Sequence, residues 1–414
     1  MQRYNIFFIR QNFFQKVTVS AHTLGCKLNF AETSDTLRHL AAEGHTIVPW
    51  GQRADLYLIN TCTVTAVAEK KCRAAIRQAH RLNPDAQIVV MGCFAQVAAE
   101  EISKLPGVTQ VLGNDSKRLL SYSGEDRTRV FFKIQDGCDY FCTYCAIPYA
   151  RGRSRSATIE ETLCMARRIA DSGAKEVVLT GVNTGTFGQH QGESFLELIE
   201  NLDNIDNILR YRISSIEPNL LTDDIIDFVA HSRAFLPHFH IPLQAGSDHV
   251  LQLMHRRYDT ALYRDKLLKI KSVMPDACIA ADVMAGFNGE SEEEFAKVLS
   301  FIDSLPISYL HVFTYSDRPG TAALKLEEKV PVSVRHEHTA RLLELSERKH
   351  KAFIDSQLGK TRPVLWESTQ HGGTMQGWTD NYIRVGRPYD PSKANTVEEV
   401  TLTAENTIKE ATSD

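Results

Sequence analysis

The run Cys138-Asp-Tyr-Phe-Cys142-Thr-Tyr-Cys145 constrains this chain more than any other feature. Its cysteines are separated by three residues and then by two. Thiolates at that spacing can hold three irons of a [4Fe–4S] cluster and leave the fourth iron without a protein ligand. An iron left open in this way can chelate the amino and carboxylate groups of S-adenosylmethionine (SAM). An electron passed through the cluster then cleaves the sulfonium to a 5′-deoxyadenosyl radical. A thiolate-rich site suits iron–sulfur better than a hard cation. Taken alone, the run can also be read as a zinc knuckle short of one ligand, or as coincidence.

The chain has nine cysteines in all. The apolar patch Ile6–Ile9 is interrupted by Arg10, Gln11 and Asn12. It lacks the cleavage site of a signal peptide. A reducing, cytoplasmic setting is therefore expected, where clustered cysteines bind metal or do chemistry rather than form disulfides. No apolar run reaches the roughly 18 residues of a membrane span. The formal charge of −4 looks wrong for a nucleic-acid partner, but its distribution removes the objection. From Asp390 to Asp414 there are two Lys against six Asp plus Glu, so the tail carries all of it. The remainder is neutral and can hold local basic patches.

The hydrophobic pattern predicts three units. From Lys16 to about Arg127, short apolar strands alternate with helices. The strands are 17–21, 56–60, 87–91 and 108–112, and the helices 30–42, 66–82 and 96–104. That alternation argues for a parallel, doubly wound sheet, whose functional groups gather at the carboxyl ends of the strands. A second α/β series starts at Val130, with strands 130–134, 176–180, 210–214, 238–241, 279–284 and 309–313. It has about six βα units, fewer than the eight of a full barrel. A charged helix, 332–357, follows. Beyond Gly359, short strands broken by Gly-rich turns predict a small β-barrel.

These residues resemble the radical-SAM methylthiotransferase family from Lys16 to about Leu402. The matching stretches include Thr23-Leu24-Gly25-Cys26-Lys27-Leu28-Asn29, Asn60-Thr61-Cys62, Gly92-Cys93 and Gly137-Cys138 onward to Ser156. Further matches are Leu179-Thr180-Gly181, Ser215-Ile216-Glu217-Pro218, His240 to Asp248 and Phe313 to Thr321. The resemblance implies a flavodoxin-like doubly wound N-terminal domain, a partial (β/α)6 radical-SAM barrel and a small C-terminal β-barrel of the TRAM type. The expected boundaries are 1–15 for an N-terminal extension, 16–128, 129–357 and 358–405 for the three domains, and 406–414 for an acidic tail.

The Leu-Gly-Cys-Lys start and the run from Pro148 to Ser156 look most like the branch that acts on transfer RNA carrying N6-threonylcarbamoyladenosine at position 37, next to the anticodon. That branch makes the 2-methylthio derivative. The branch acting on isopentenyladenosine usually reads Gly-Cys-Gln-Met-Asn at the first cysteine, and the ribosomal-protein branch Gly-Cys-Pro-Lys-Asn. Both remain as alternatives of the same chemistry. A non-catalytic iron–sulfur RNA-binding or redox-sensing protein is the alternative of another class, though a sensor needs no SAM barrel. One departure is Gly286-Phe287-Asn288-Gly289-Glu290, where the family usually has Pro in place of Asn288. Losing Pro frees φ, so a looser loop is expected there.

Cys26, Cys62 and Cys93 lie 36 and 31 residues apart, a spacing that is nonspecific by itself. Each follows a predicted strand, so all three fall at one edge of the parallel sheet. On the residues alone they read equally as ligands or as buried structural cysteines. The resemblance makes them the ligands of an auxiliary [4Fe–4S] cluster, beside the SAM-binding cluster on Cys138, Cys142 and Cys145. It further implies that the auxiliary cluster supplies sulfur and SAM supplies both the methyl group and the radical. An external electron donor and sulfur donor are then needed. Cys72, Cys164 and Cys278 read as small apolar side chains in element interiors.

Such chemistry suits an aromatic adenine C–H, which no side-chain base readily deprotonates near neutral pH. No side-chain acid or base is therefore expected to be catalytic. Candidate SAM contacts are Tyr144 beside the last cysteine and the strand-end residues Thr180, Gly181, Asn183, Glu217 and Gln244. Strand-end polar residues also close barrel loops. Candidate contacts to the tRNA anticodon stem-loop are Arg151, Arg153 and Arg155, since Arg suits phosphate. A helical stripe of Lys70, Arg73, Arg77 and Arg81 is a second candidate, although solvated charged faces are common. Trp378 and Tyr382 either stack on bases or fill the core of the small barrel.

Overall fold

The computed structural model describes residues 16–114, 117–124 and 128–408. The expected N-terminal extension and the end of the acidic tail lie outside these residues.

Five parallel strands open the chain: β1 (Thr18–Thr23), β2 (Thr46–Ile47), β3 (Leu56–Thr61), β4 (Gln87–Gly92) and β5 (Val108–Leu112). They lie in the order β2-β1-β3-β4-β5, the flavodoxin-like order. β3 is buried along its whole length, as its unbroken apolar run requires when both sheet faces are covered. The helices Lys27–Ala42 and Ala66–Leu82 pack on the sheet. The predicted helix 96–104 is two shorter ones, Cys93–Val97 and Ala99–Ser103, with Cys93 at the start of the first.

After β6 (Ser121–Tyr122) comes the barrel series. It comprises β7 (Arg129–Lys133), the small ribbon β8 (Gln135–Asp136) and β9 (Arg155–Ser156), then β10 (Glu176–Thr180), β11 (Arg210–Ile213), β12 (His238–His240), β13 (Cys278–Ala285) and β14 (Tyr309–Thr314). β7, β10 and β11 pair in parallel, as do β12, β13 and β14. Single bridges from Tyr211 to Phe235 and from Ser215 to His240 join the two halves. The result is six parallel strands curved into a partial barrel. Alternate residues divide its two faces. Phe132, Val177, Leu179, Tyr211, Ile213, Phe239, Ile241, Ile279, Ala281 and Leu310 join the large core beneath the helices. Their neighbours face the lumen.

The C-terminal unit is an antiparallel, curled sheet in the order β17-β16-β15-β18. Its strands are β15 (Thr361–His371), β16 (Thr374–Thr379), β17 (Arg384–Pro388) and β18 (Val397–Thr401). Its core of Val364, Trp366, Met375, Trp378, Tyr382, Ile383 and Val385 is continuous with Cys278, Ala280 and Tyr309. Those three are luminal residues at the starts of β13 and β14, so this unit plugs the amino-terminal end of the barrel. Arg210 Nη1 donates to the Trp378 carbonyl at 3.1 Å, and Arg212 Nη2 to that of Thr379 at 2.7 Å.

Asn288 corrects the expectation of a loose loop. It is fully buried and donates to the Ala323 carbonyl at 3.1 Å, while Arg335 Nη2 donates to its Oδ1 at 3.3 Å. The amide replaces the stiffness of a Pro with two tethers.

Candidate active site at the carboxyl end of the barrel

Each thiol trio is formed by loops that leave parallel strands at the same end. Cys26, Cys62 and Cys93 follow β1, β3 and β4, which are neighbours in the sheet. Cys26 is the N-cap of the helix Lys27–Ala42. Burial pushes the Cys62 thiol up to about 12, and Cys26 and Cys93 are close enough to add to that shift. Cys138, Cys142 and Cys145 occupy the loop after β7 and β8, where Cys142 adds to the upward shift of Cys138 and both add to that of Cys145. Burial is the main cause there too, pushing Cys138 to about 11 and Cys145 to about 12. Three crowded thiols that resist ionising are poor at acid–base work. They are well suited to a cation that displaces their protons.

Glycine makes both bends possible. Gly92 has φ +104°, and a Cβ there would stand 2.4 Å from Asn60 Oδ1. Gly137 has φ +71°, and its Cβ would stand 2.0 Å from the Arg153 carbonyl oxygen. Any larger residue would move the cysteine that follows.

The segments that carry the two trios come together at the seam between the N-terminal sheet and the barrel. The helix that Cys93 begins packs on the helix Ile147–Arg151, which starts just after Cys145. Asn114 Nδ2 bridges them, 3.6 Å from Cys93 Sγ and 2.7 Å from the Ala150 carbonyl. A buried ion-pair network locks the seam. Glu32 meets Lys117, Lys133 and Arg151, and Asp136 meets Lys133, Arg151 and Arg155. On the far side of the barrel mouth, Arg318 in the loop after β14 pairs with Glu69 and reaches Thr63, next to Cys62. The N-terminal domain is thus pinned at both edges of the open barrel.

The candidate SAM contacts ring the lumen. The hydroxyl of Thr180 is buried without a hydrogen-bond partner among the described residues, as is that of Ser214 on the next strand. Such orphaned donors fit a polar ligand. Asn183 is buried beside the Tyr140 hydroxyl. Gly181 abuts Gln135, and a Cβ there would stand 2.9 Å from Gln135 Oε1. Gln244 takes φ +64°, a strained backbone for a residue with a side chain. Its N–H donates to the Asp282 carbonyl at 2.8 Å. Tyr144 packs edge-on to Phe287. Glu217 is paired with Arg256, and the guanidinium offsets part of the burial that pushes the Glu217 carboxyl up.

Arg256 is a candidate site residue that the sequence reading passed over. Its Nη1 lies 3.1 Å from Cys142 Sγ, and its charge offsets part of the burial that raises that thiol. Only its place in the pair Arg256-Arg257 just after a helix could have signalled it.

The expected RNA contacts divide. Arg151 is buried and fully engaged at the seam, and Arg155 is tied to Asp136 and the Arg151 carbonyl. Only Arg153 stays exposed, its guanidinium 4.8 Å from the Phe141 ring. Lys70, Arg77 and Arg81 are exposed along the helix Ala66–Leu82, whereas Arg73 is paired with Glu69 and Glu101. Trp378 and Tyr382 stack on each other inside the barrel plug. The structure therefore removes Arg151, Trp378 and Tyr382 from the surface available to RNA. Cys72 and Cys278 are buried as expected, but Cys164 is exposed because it lies on the outer face of its helix. No helix among the described residues is long and apolar enough to cross a membrane.

Comparison with known proteins agrees with this arrangement. Residues 18–113 match the uncharacterized protein family UPF0004, and residues 132–302 match the radical SAM superfamily. The structure of the radical S-adenosylmethionine methyltransferase TsrM from Kitasatospora setae, with cobalamin and a [4Fe–4S] cluster bound, shares the fold. Its TM-score is 0.51 at 12% identity, over 72% of this chain and 75% of that one. The threonylcarbamoyladenosine tRNA methylthiotransferase MtaB of Bacillus subtilis (strain 168) is 38% identical over 89% of this chain and 90% of its own. The protein of the same name from Aquifex aeolicus (strain VF5) is 35% identical over 89% and 96%. A tRNA-2-methylthio-N(6)-dimethylallyladenosine synthase of Nitratidesulfovibrio vulgaris (strain DP4) is 32% identical over 87% and 89%. On that identity over about nine tenths of the chain, together with the radical SAM match, the chain belongs to the threonylcarbamoyladenosine tRNA methylthiotransferase family and is a radical SAM enzyme.

Proposed function

We propose that this enzyme converts N6-threonylcarbamoyladenosine beside the tRNA anticodon to its 2-methylthio derivative, in the cytoplasm. The observation that carries the reading is the pair of thiol trios on strand-end loops whose flanking helices pack together at one pinned seam. Cys138, Cys142 and Cys145 would hold a SAM-binding [4Fe–4S] cluster, and Cys26, Cys62 and Cys93 an auxiliary one. When bound, the clusters with SAM supply radical and sulfur chemistry.

The chain's own residues bind, orient and exclude water. Tyr144, Thr180, Gly181, Asn183, Glu217 and Gln244 would line the SAM site, with Arg256 holding Glu217 and Cys142 in place. The seam network fixes the distance between the trios. A domain that drifted by even one ångström would misplace the reacting groups. Arg153, with Phe141 and Tyr149 in edge contact beside it, would meet RNA through charge and stacking. Lys70, Arg77 and Arg81 would extend that footprint. Electrons and replacement sulfur come from external donors.

The test is mass spectrometry of nucleosides from tRNA incubated anaerobically with reconstituted enzyme, SAM and dithionite. Tracts carrying threonylcarbamoyladenosine are expected to gain a methylthio group. Gain on dimethylallyladenosine alone would sink the substrate assignment.

A further inference from the structure

The barrel lumen contains a polar cluster that neither the thiols nor the SAM contacts use. Three adjacent strands each contribute one side chain: His240 from β12, Asp282 from β13 and His311 from β14. Asp282 and His311 are register partners. His240 Nε2 lies 2.7 Å from Asp282 Oδ1, and the two histidine rings are 5.1 Å apart. One ligand-type atom from each of the three lies within 4.8 Å of the others. Their sequence neighbours point into the helix-covered core, so the alternation of the strands fixes these three on the lumen side. All three keep partial exposure.

A fourth group enters from the other domain. Lys27 follows Cys26 at the start of the helix that covers β7. Its ammonium stands 5.9 Å from the centre of the Phe131 ring on the luminal face of β7. It is also close enough to act on Asp282. Burial would raise that carboxyl, yet His240, His311 and Lys27 together draw it below the usual carboxylate range.

The cluster lies between the two functions assigned above. Lys27 adjoins a cysteine of the auxiliary trio. The Asp282 carbonyl accepts from the N–H groups of Leu243 and Gln244, the latter a candidate SAM contact.

We propose that Lys27, His240, Asp282 and His311 read the N6 substituent of the target adenosine. The proposal rests on the functional reading above and names the residues that would give it specificity. Lys27 and the two imidazoles donate to the carboxylate of the threonylcarbamoyl group. Asp282 accepts from its hydroxyl and urea N–H groups. The relatives named above divide between threonylcarbamoyladenosine and dimethylallyladenosine. Those substituents differ in this respect: one carries a carboxylate, a hydroxyl and N–H groups, and the other is hydrocarbon. The carboxylate gains charge-assisted hydrogen bonds from the ammonium and imidazole groups, whereas the hydrocarbon offers them no acceptor and displaces their water. The same His–Asp–His set has the donors of a divalent-cation site, but the neighbouring Lys27 ammonium opposes a cation there.

The experiment uses full-length enzyme with both clusters loaded and its iron counted. Its substrates are anticodon stem-loops whose target adenosine carries threonylcarbamoyl, the methyl ester of that group, or dimethylallyl. Unsubstituted enzyme is expected to favour the free carboxylate over the ester about tenfold or more in kcat/KM, the worth of one charge-assisted hydrogen bond. Lys27→Met and His311→Phe should each bring that ratio to within about twofold of unity, and Lys27→Arg should keep most of it. Should a Lys27 variant lose iron, His311→Phe decides, since His311 lies on no cysteine loop. An unchanged ratio in His311→Phe overturns the proposal. So does a ratio that vanishes with a chelator and returns with Mn2+, which would make the cluster a metal site. Failure of the unsubstituted enzyme on the threonylcarbamoyl stem-loop would instead refute the functional reading.

Discussion

Arg151 Nη1 lies 3.0 Å from Glu32 Oε1 and 2.9 Å from Asp136 Oδ1, with all three side chains buried at the seam. Glu32 belongs to the N-terminal domain and Asp136 to the barrel, so one guanidinium joins the units that carry the two thiol trios. Removing one partner of a buried charge network leaves the others uncompensated, at about 3–5 kcal/mol. Glu32→Ala is therefore expected to lower unfolding stability by that order, since Lys117, Lys133 and Arg151 all face it. Urea titration of the variant checks this. A loss below about 1 kcal/mol would show that the seam does not depend on the network.

The thiol trios should separate by function. A Cys62→Ala variant is expected to make 5′-deoxyadenosine from SAM and dithionite but no methylthiolated nucleoside. Cys142→Ala should make neither. Intact protein should hold about eight irons, and the Cys138, Cys142 and Cys145 triple variant about half. Iron must be counted in each, because losing a cluster can unfold its domain. Full multiple-turnover methylthiolation by Cys62→Ala would remove the auxiliary trio from sulfur delivery.

Much of this was legible because strand-end placement is written in local pattern. Short apolar runs ahead of Cys26, Cys62 and Cys93 were enough to put those thiols at one sheet edge, and β1, β3 and β4 are neighbours there. What stayed hidden depends on contacts between distant segments. Arg151 reads as a surface arginine until Glu32, 119 residues away, is seen beside it. Trp378 and Tyr382 read as stacking platforms until their place in the barrel floor is known. Short strands such as β6, β8 and β9 have two residues each, too few to show a period. Asp282, His240 and His311 lie on separate strands, and no spacing in the chain links them.

His338 sets a pH dependence. Its Nδ1 lies 2.8 Å from Glu290 Oε1 and its Nε2 3.0 Å from Glu292 Oε2. Burial would lower its pKa, but the two carboxylates outweigh burial and raise it above the ordinary histidine value. A raised folded pKa contributes stability that is complete below the unfolded value, near 6.5. That stability is lost as pH climbs through the folded value. Unfolding midpoints should therefore fall as pH rises above about 6.5, modestly because Glu292 is exposed. His338→Gln should flatten that slope. An equal slope in the variant would assign the dependence to other groups.

The C-terminal unit should matter to the barrel as well as to RNA. Removing Gly359–Asp414 strips the carbonyl partners of Arg210 and Arg212 and uncovers Cys278, Ala280 and Tyr309. Buried guanidinium groups without acceptors are costly. The truncated protein is expected to lose SAM cleavage along with tRNA affinity. Cleavage at the full rate in a soluble truncation would show that the barrel floor closes without its plug.

The exposed basic residues should carry the salt dependence of tRNA binding. Arg153 is the one arginine of its run left open to solvent, and Phe141 and Tyr149 beside it are exposed aromatic rings. Lys70, Arg77 and Arg81 line the outer face of a helix whose buried side holds Cys72, Ala75, Ile76 and Ala79. Each phosphate contact releases condensed counterions, so its loss should reduce the slope of log affinity against log salt by about 0.7–0.9. Arg153→Gln and the triple change Lys70→Gln, Arg77→Gln and Arg81→Gln should each flatten the slope in proportion to the charges removed. Tyr149→Ala should weaken binding by about 1–3 kcal/mol, as loss of a stacking platform does, and leave the slope unchanged. The contrast separates charge from stacking on one surface. If Arg153→Gln left both affinity and slope as they were, the RNA would have to approach from another face of the barrel mouth.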